Sequence, residues 1–239
     1  MKLEQRALRF HASGNALIGI VDVPERPLAR GMLILADSSQ YRAGSDRQFT
    51  LLSRLLAARG VAVMRFDRAG AGDSEGHASL RALDDVGAAL KEFSIHVPEM
   101  KESVILAAGD AAACAALYAA GDARITGLAL LDPQLPQRDA APVLRYRPRP
   151  CADRLFWRAA AQPGPQVSPR LARALAGFAG RVLLVCGGDG PGARDATCAL
   201  DEQHPRSRRV EIAHAGLGVR RSVWRDAVAF ACASWLGSW

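Results

Sequence analysis

The sequence predicts an α/β protein with a mostly parallel sheet of about eight strands and helices on both faces. Two observations carry this. Short, solid apolar runs recur along the chain, as in GMLILA at 31–36, ILAA near 105–108 and RVLLVC at 181–186. A strand covered on both faces has no polar side to show, so it reads as a continuous run instead of an alternation. Between these runs lie segments whose apolar residues recur at helical spacing, and alternating strands and helices fold into a parallel sheet.

Each element has its own signal. Residues 7–11 and 16–23 read as strands joined across Ser13, Gly14 and Asn15, turn-forming residues that suit a β-hairpin. The hairpin adds an antiparallel edge. Residues 31–36 form the first buried strand, and a polar loop, 37–47, follows. Phe49, Leu51, Leu52, Leu55 and Leu56 then mark a helix that stops at Gly60. Residues 61–66 give the fourth strand and 80–93 a helix whose polar face carries Asp84 and Asp85. Strands at 104–108, 125–131, 181–186 and 208–213 alternate with helices at 111–120 and 193–202. A last helix at 221–236 places Trp224, Val228, Ala231 and Trp235 on one face.

The chain of 239 residues reads as a single α/β domain, 1–239. Residues 134–180 break the rhythm. They hold seven prolines and no obvious strand, and read as a cap inserted over the carboxyl edge of the sheet.

Composition excludes several classes. Mean hydropathy is near zero, and no apolar run reaches the roughly 20 residues of a membrane helix. The start, MKLEQRALRF, lacks the apolar core of a signal peptide, so a cytoplasmic location is expected. The net charge is +7, almost all of it from scattered Arg, with small clusters at 145–149 and 206–209. There is no long basic run and no aromatic platform, which argues against nucleic acid as partner. A basic binding module remains an alternative. The five cysteines, 114, 151, 186, 198 and 232, lack CxxC spacing and make neither a disulfide framework nor a zinc site. Nothing in the sequence calls for a metal or another cofactor.

In a sheet of this kind the ligand site lies beyond the carboxyl ends of the strands. The loops that reach that edge are ADSSQYRAGSDRQF at 36–49, RFDRAGAGDSEG at 65–76, AAGDA at 107–111, and two late loops from Cys186 and Ala213. RFDRAGAGDSEG follows a buried strand directly. Its glycines permit sharp turns, and Asp67, Asp73 and Ser74 can bond their own backbone. It resembles the R-x-D-x-R-G-x-G-x-S loop of the α/β-hydrolase superfamily. The string QYRAGSDRQF, Gln40 to Phe49, is similar to the loop of a narrower family, the exosortase A system-associated hydrolase 1 proteins of bacterial exopolysaccharide clusters. Leu155-Phe156-Trp157-Arg158 and the WRDAV run of the last helix resemble that family as well.

The resemblance implies an α/β-hydrolase fold with a Cys nucleophile on the turn after the fifth strand, a late Asp and a final His. Placed without gaps, Asp110 and Tyr118-Ala119 match the family's elbow. The nucleophile position then falls on Gly109, and the His position on Leu217. The late acid matches Asp189. Ser38, Ser39 and Gln40 occupy the loop that supplies oxyanion-hole donors in this fold, with Gly109 beside them. A one-residue shift instead makes Asp110 a carboxylate nucleophile, with His214 as base and Asp189 or Asp132 as acid. The favoured reading of Asp110 is the N-cap of the helix that follows, and Asp132-Pro133 reads equally as a turn. Cys114 and Cys186 read as buried small residues.

Two functional expectations follow. One is a pseudo-hydrolase that binds a small acyl or ester-like ligand, or a protein partner from an exopolysaccharide system. The other is an active ester or thioester hydrolase that uses Asp110.

Overall fold

The computed structural model of the protein describes residues 3–37, 40–77, 82–135, 167–187, 206–212 and 221–239. Eight strands form one sheet: β1 (Leu3–Ala12), β2 (Asn15–Pro24), β3 (Arg30–Leu35), β4 (Val63–Phe66), β5 (Glu102–Ala108), β6 (Ile125–Leu131), β7 (Arg181–Gly187) and β8 (Ser207–Ile212). Their order is β1-β2-β4-β3-β5-β6-β7-β8. The β1–β2 and β2–β4 pairs are antiparallel, and every pair from β4 to β8 is parallel. The hairpin register sets Ala12 opposite Asn15. Its two turn residues, Ser13 (φ 48°) and Gly14 (φ 86°), both take the positive φ that matches the twist of the flanking strands.

The apolar runs divide between two core layers with the period of a strand. Leu33, Ile105, Leu128, Leu130, Val182 and Leu184 pack on one side of the sheet. Met32, Ile34, Val104, Leu106, Ala129, Leu131 and Leu183 pack on the other. Helices α2 (Ala82–His96), α3 (Ala111–Ala119) and α4 (Pro169–Gly177) cover the first side, and α1 (Gln48–Ala57) and α5 (Arg221–Leu236) the second. Seven of the nine α3 residues are buried and all of these are Ala or Cys, so the helix backbone can lie close against the sheet.

Helix α4 was not anticipated in 134–180. Its signal is local: Ser168 accepts from Leu171 N at 3.4 Å, and Pro169 stands at the first helical position. Leu171 and Leu175, one turn apart, are fully buried and contribute about 2 kcal/mol each. The expected helix at 193–202 and the stretch Leu155 to Arg158 lie outside the described residues.

Asp85 corrects the reading of α2. Asp84 is exposed and accepts from Ser13 Oγ at 2.8 Å, but Asp85 is 2% exposed and turns inward. One carboxylate oxygen takes the Ala69 N–H at 3.0 Å; the other is buried and meets no hydrogen-bond donor among the described residues. Burial raises its pKa above the ordinary value, although Ala69 N–H and Arg68 act in the opposite direction.

Candidate functional site

Four strands deliver loops to the carboxyl edge of the sheet. The turn from β5 to α3 lies at its centre. Gly109 sits there with φ +55°, the left-handed region that glycine enters without steric cost. Its N–H donates to Leu131 O at 2.9 Å and its carbonyl accepts from Gln134 N at 2.9 Å, so the turn is tied to the end of β6. Asp110 follows with helical angles, φ −71° and ψ −18°. It holds the N-cap position of α3, but its side chain makes no cap hydrogen bond. The expected side-chain cap is therefore replaced by a cap position in name only; helical angles point the Asp110 side chain away from the first-turn amides that an extended N-cap residue reaches.

The loop after β3 faces this turn. A Cβ at position 109 would lie 3.2 Å from the Asp37 Cβ and 3.6 Å from its Oδ2. Gln40 donates from Nε2 to Asp37 Oδ2 at 2.9 Å, while its Oε1 accepts from Ser45 N at 3.1 Å and Gln48 Nε2 at 2.9 Å. Gln40 thus spends its side chain holding the loop together. Ser38 and Ser39 lie outside the described residues.

The loop after β4 forms the adjoining wall. Asp67 is buried, and its carboxylate accepts from Arg42 N at 2.6 Å, from the Arg42 guanidinium and from Asp73 N at 3.1 Å. Arg42 also reaches Asp73 at 2.6 Å. Gly72 has φ +53°, and a Cβ there would run into the Asp67 carboxylate. Ser74 Oγ donates to Asp67 O at 2.7 Å and accepts from Ile18 N at 2.9 Å, which docks the loop on β2. Asp67 and Ser74 bond the loop's own backbone as expected, whereas the Asp73 carboxylate takes the guanidinium of Arg42, which comes from the preceding loop and completes the clasp.

Arg68 lies beneath. It is 7% exposed and donates to Ala36 O at 3.2 Å. Burial lowers its pKa from the usual arginine value, opposed by Cys114 and by the carboxylates of Asp110, Asp85 and Asp37. Arg68 and Asp37 are residues of the site that no motif in the sequence marks. Their only local signal was position, at the head of a loop directly after a buried strand.

At the next strand end, Asp132 takes φ +42° and its Oδ1 accepts from Gly187 N at 2.5 Å, joining β6 to β7. Cys114 and Cys186 are buried, and burial pushes the Cys114 thiol up to about 12. Asp189, His214 and Leu217 lie outside the described residues, so of the expected site Gln40, Gly109, Asp110 and the alternative acid Asp132 are placed. Among the described residues no group of three His, Cys, Asp or Glu could hold a metal ion, and no helix is long and apolar enough to cross a membrane.

No family model matches the sequence, and neither does any curated protein. Solved structures do match over nearly the whole chain. An esterase of Pyrococcus furiosus superposes with a TM-score of 0.71 at 12% identity, covering 99% of this chain and 92% of its own. Est1E of Butyrivibrio proteoclasticus, solved with ferulic acid bound, gives 0.71 at 18% identity over 97% and 100%. An α/β-hydrolase of Sphaerobacter thermophilus gives 0.68 at 15% identity over 96% and 100%. The chain has the α/β-hydrolase fold.

Proposed function

We propose that this α/β-hydrolase-fold chain is a pseudo-hydrolase of the exosortase A-associated hydrolase 1 type. It binds a small acyl or ester-like ligand, or a protein partner of an exopolysaccharide system, in the cytoplasm, with 134–180 as its cap. One observation carries this reading. In hydrolases of this fold the nucleophile stands on a sharp, strained strand-to-helix turn, and the residue with the positive φ between β5 and α3 is Gly109. Glycine has no side chain to attack with. Asp110 has helical angles instead, which is not the apex conformation a carboxylate nucleophile would need.

Triad members act as a unit, so an elbow without its nucleophile leaves little beyond binding and oxyanion-hole effects. Substitution of Leu217 at the His position would remove the base as well. Under the competing reading, Asp110 attacks an ester or thioester carbonyl with His214 and Asp189 in support.

Turnover of acyl esters and thioesters separates the two. The wild-type chain is expected to be inactive, and Gly109→Cys/Leu217→His to gain hydrolysis. Wild-type turnover abolished by Asp110→Asn would overturn the proposal.

A further inference from the structure

We propose that Arg68 is a two-position latch on the loop that faces the elbow. It holds the Ala36 carbonyl while Asp85 is neutral, and turns to the Asp85 carboxylate when that group ionises. The inference rests on the reading of the elbow as the binding site and adds its regulation.

Two buried groups of opposite charge type lie close together without meeting. Asp85, on α2, is 2% exposed, and Arg68, after β4, is 7% exposed. One Asp85 oxygen takes the Ala69 N–H; the other is buried and has no donor among the described residues. Arg68 donates to Ala36 O at 3.2 Å and forms no ion pair among the described residues. A buried ionised group without a partner costs more than a buried neutral one. The arrangement therefore suits a neutral Asp85, with its proton on the free oxygen. Burial acts on Asp85 in that direction, against the Ala69 N–H and Arg68.

Covalent geometry brings the second position within reach. Ala69 N is bonded to the carbonyl carbon of Arg68, so the Asp85 oxygen that lies 3.0 Å from it stands no more than about 5 Å from the Arg68 Cα. A guanidinium extends about 6–7 Å from its Cα. Rotation about its own side-chain bonds carries it from Ala36 O to the free Asp85 oxygen. The two positions differ in what they do to the elbow. Ala36 precedes Asp37, whose Cβ stands 3.2 Å from the place of a Cβ at Gly109. With Arg68 on Ala36 O, the end of β3 is pinned and Asp37 crowds the elbow. With Arg68 on Asp85, that carbonyl loses its guanidinium donor, and Asp37 and Gln40 draw back.

The surrounding charges make Asp85 the deciding group. Asp84, beside it on α2, opposes its ionisation. Cys114 of α3 faces both Asp85 and Arg68, but burial pushes its thiol up to about 12, so it stays neutral. Asp110 and Asp37 act on Arg68 from the elbow side and draw the guanidinium that way. Only a charge on Asp85 pulls against them from α2. Its folded pKa is raised, so the closed latch is present at low pH and is lost as pH rises through that value, above the ordinary 3.8.

Hydrogen exchange of the full chain followed by NMR, from about pH 4 to about pH 9, tests the latch, while carboxyl carbon shifts read Asp85 directly. The informative amides are Gln40, bonded to Asp37 O, and Ser45, bonded to Gln40 Oε1. Their protection factors, corrected for the intrinsic pH dependence of exchange, should fall about tenfold as Asp85 ionises, while the amides of β6 keep theirs. Asp85→Asn still offers an acceptor to the Ala69 N–H but cannot ionise, so protection should stay high at every pH. Arg68→Met should show low protection at every pH, again with β6 unchanged. Ester turnover plays no part in this readout, so the pseudo-hydrolase reading and the latch can fail separately. An Asp85 carboxyl that does not titrate over this range, a pH-dependent loss that survives Asp85→Asn, wild-type protection in Arg68→Met, or a loss shared by β6 would overturn the proposal.

Discussion

Gly109 and Asp37 confront each other across the carboxyl edge of the sheet, with 3.2 Å between the Asp37 Cβ and the place a Cβ would take at position 109. The contact is tighter than side chains normally accept, so Asp37 must give way before any side chain can occupy the elbow.

Gly109→Ala should therefore cost about 1–2 kcal/mol for the positive φ, with a further contribution from crowding against Asp37. Combining it with Asp37→Gly should cost less than the sum of the two changes. Urea unfolding of the four variants of this cycle measures the coupling. Strict additivity would show that Asp37 already has room to move.

The Arg42–Asp67 clasp gives a larger effect. Asp67→Ala removes a buried carboxylate that serves two backbone N–H groups and a guanidinium, and should destabilise the chain by about 3 kcal/mol. Gly72→Ala should disturb the same clasp, since its new methyl meets that carboxylate. Urea midpoints of the two variants provide the check.

Acid stability should depend on Asp122. The Arg124 guanidinium, with help from Tyr118 Oη at 2.8 Å, holds its carboxyl at about 2 against an ordinary 3.8. The folded value lies below the unfolded one, so this contribution is present above 3.8 and is lost as pH falls towards 2. Asp122→Asn should flatten the stability curve over that window and change its slope little at neutral pH. Thermal unfolding across an acid pH series reads the difference.

Cys114 and Cys232 should resist alkylation in the native chain. Both are buried, and burial pushes both thiols up to about 12. Peptide mass spectrometry after iodoacetamide at pH 8 should find them unmodified until denaturant is added. Rapid native labelling of Cys114 would show that α3 opens.

Much of this fold was legible because burial on both faces writes itself into a strand directly. Residues 125–131 and 221–236 were bounded by pattern alone, and the same bounds hold for β6 and α5. The turn at Gly109 was legible through its small residues. What pattern could not supply was the partner of each polar group. Asp85 looks like any acidic residue in a first helical turn until the β4 loop brings the Ala69 N–H to it. Arg42 and Asp67 belong to different loops and meet only once β3 and β4 are side by side. Asp37 gains its meaning from Gly109, far along the chain. Helix α4 follows a proline-rich stretch and spans only nine residues, so Ser168 and the Leu171–Leu175 spacing are its whole signal.

The wall built from Arg42, Asp67 and Gly72 is held by hydrogen bonds and ion pairs between its own residues. Its shape does not wait for an occupant. A molecule settling against it would lose its own freedom but would not have to freeze that part of the rim, so the entropic cost of association falls mainly on the visitor. Discrimination at this wall should therefore come from shape, set before the encounter, and calorimetry should find the heat-capacity change of surface burial without that of a folding loop.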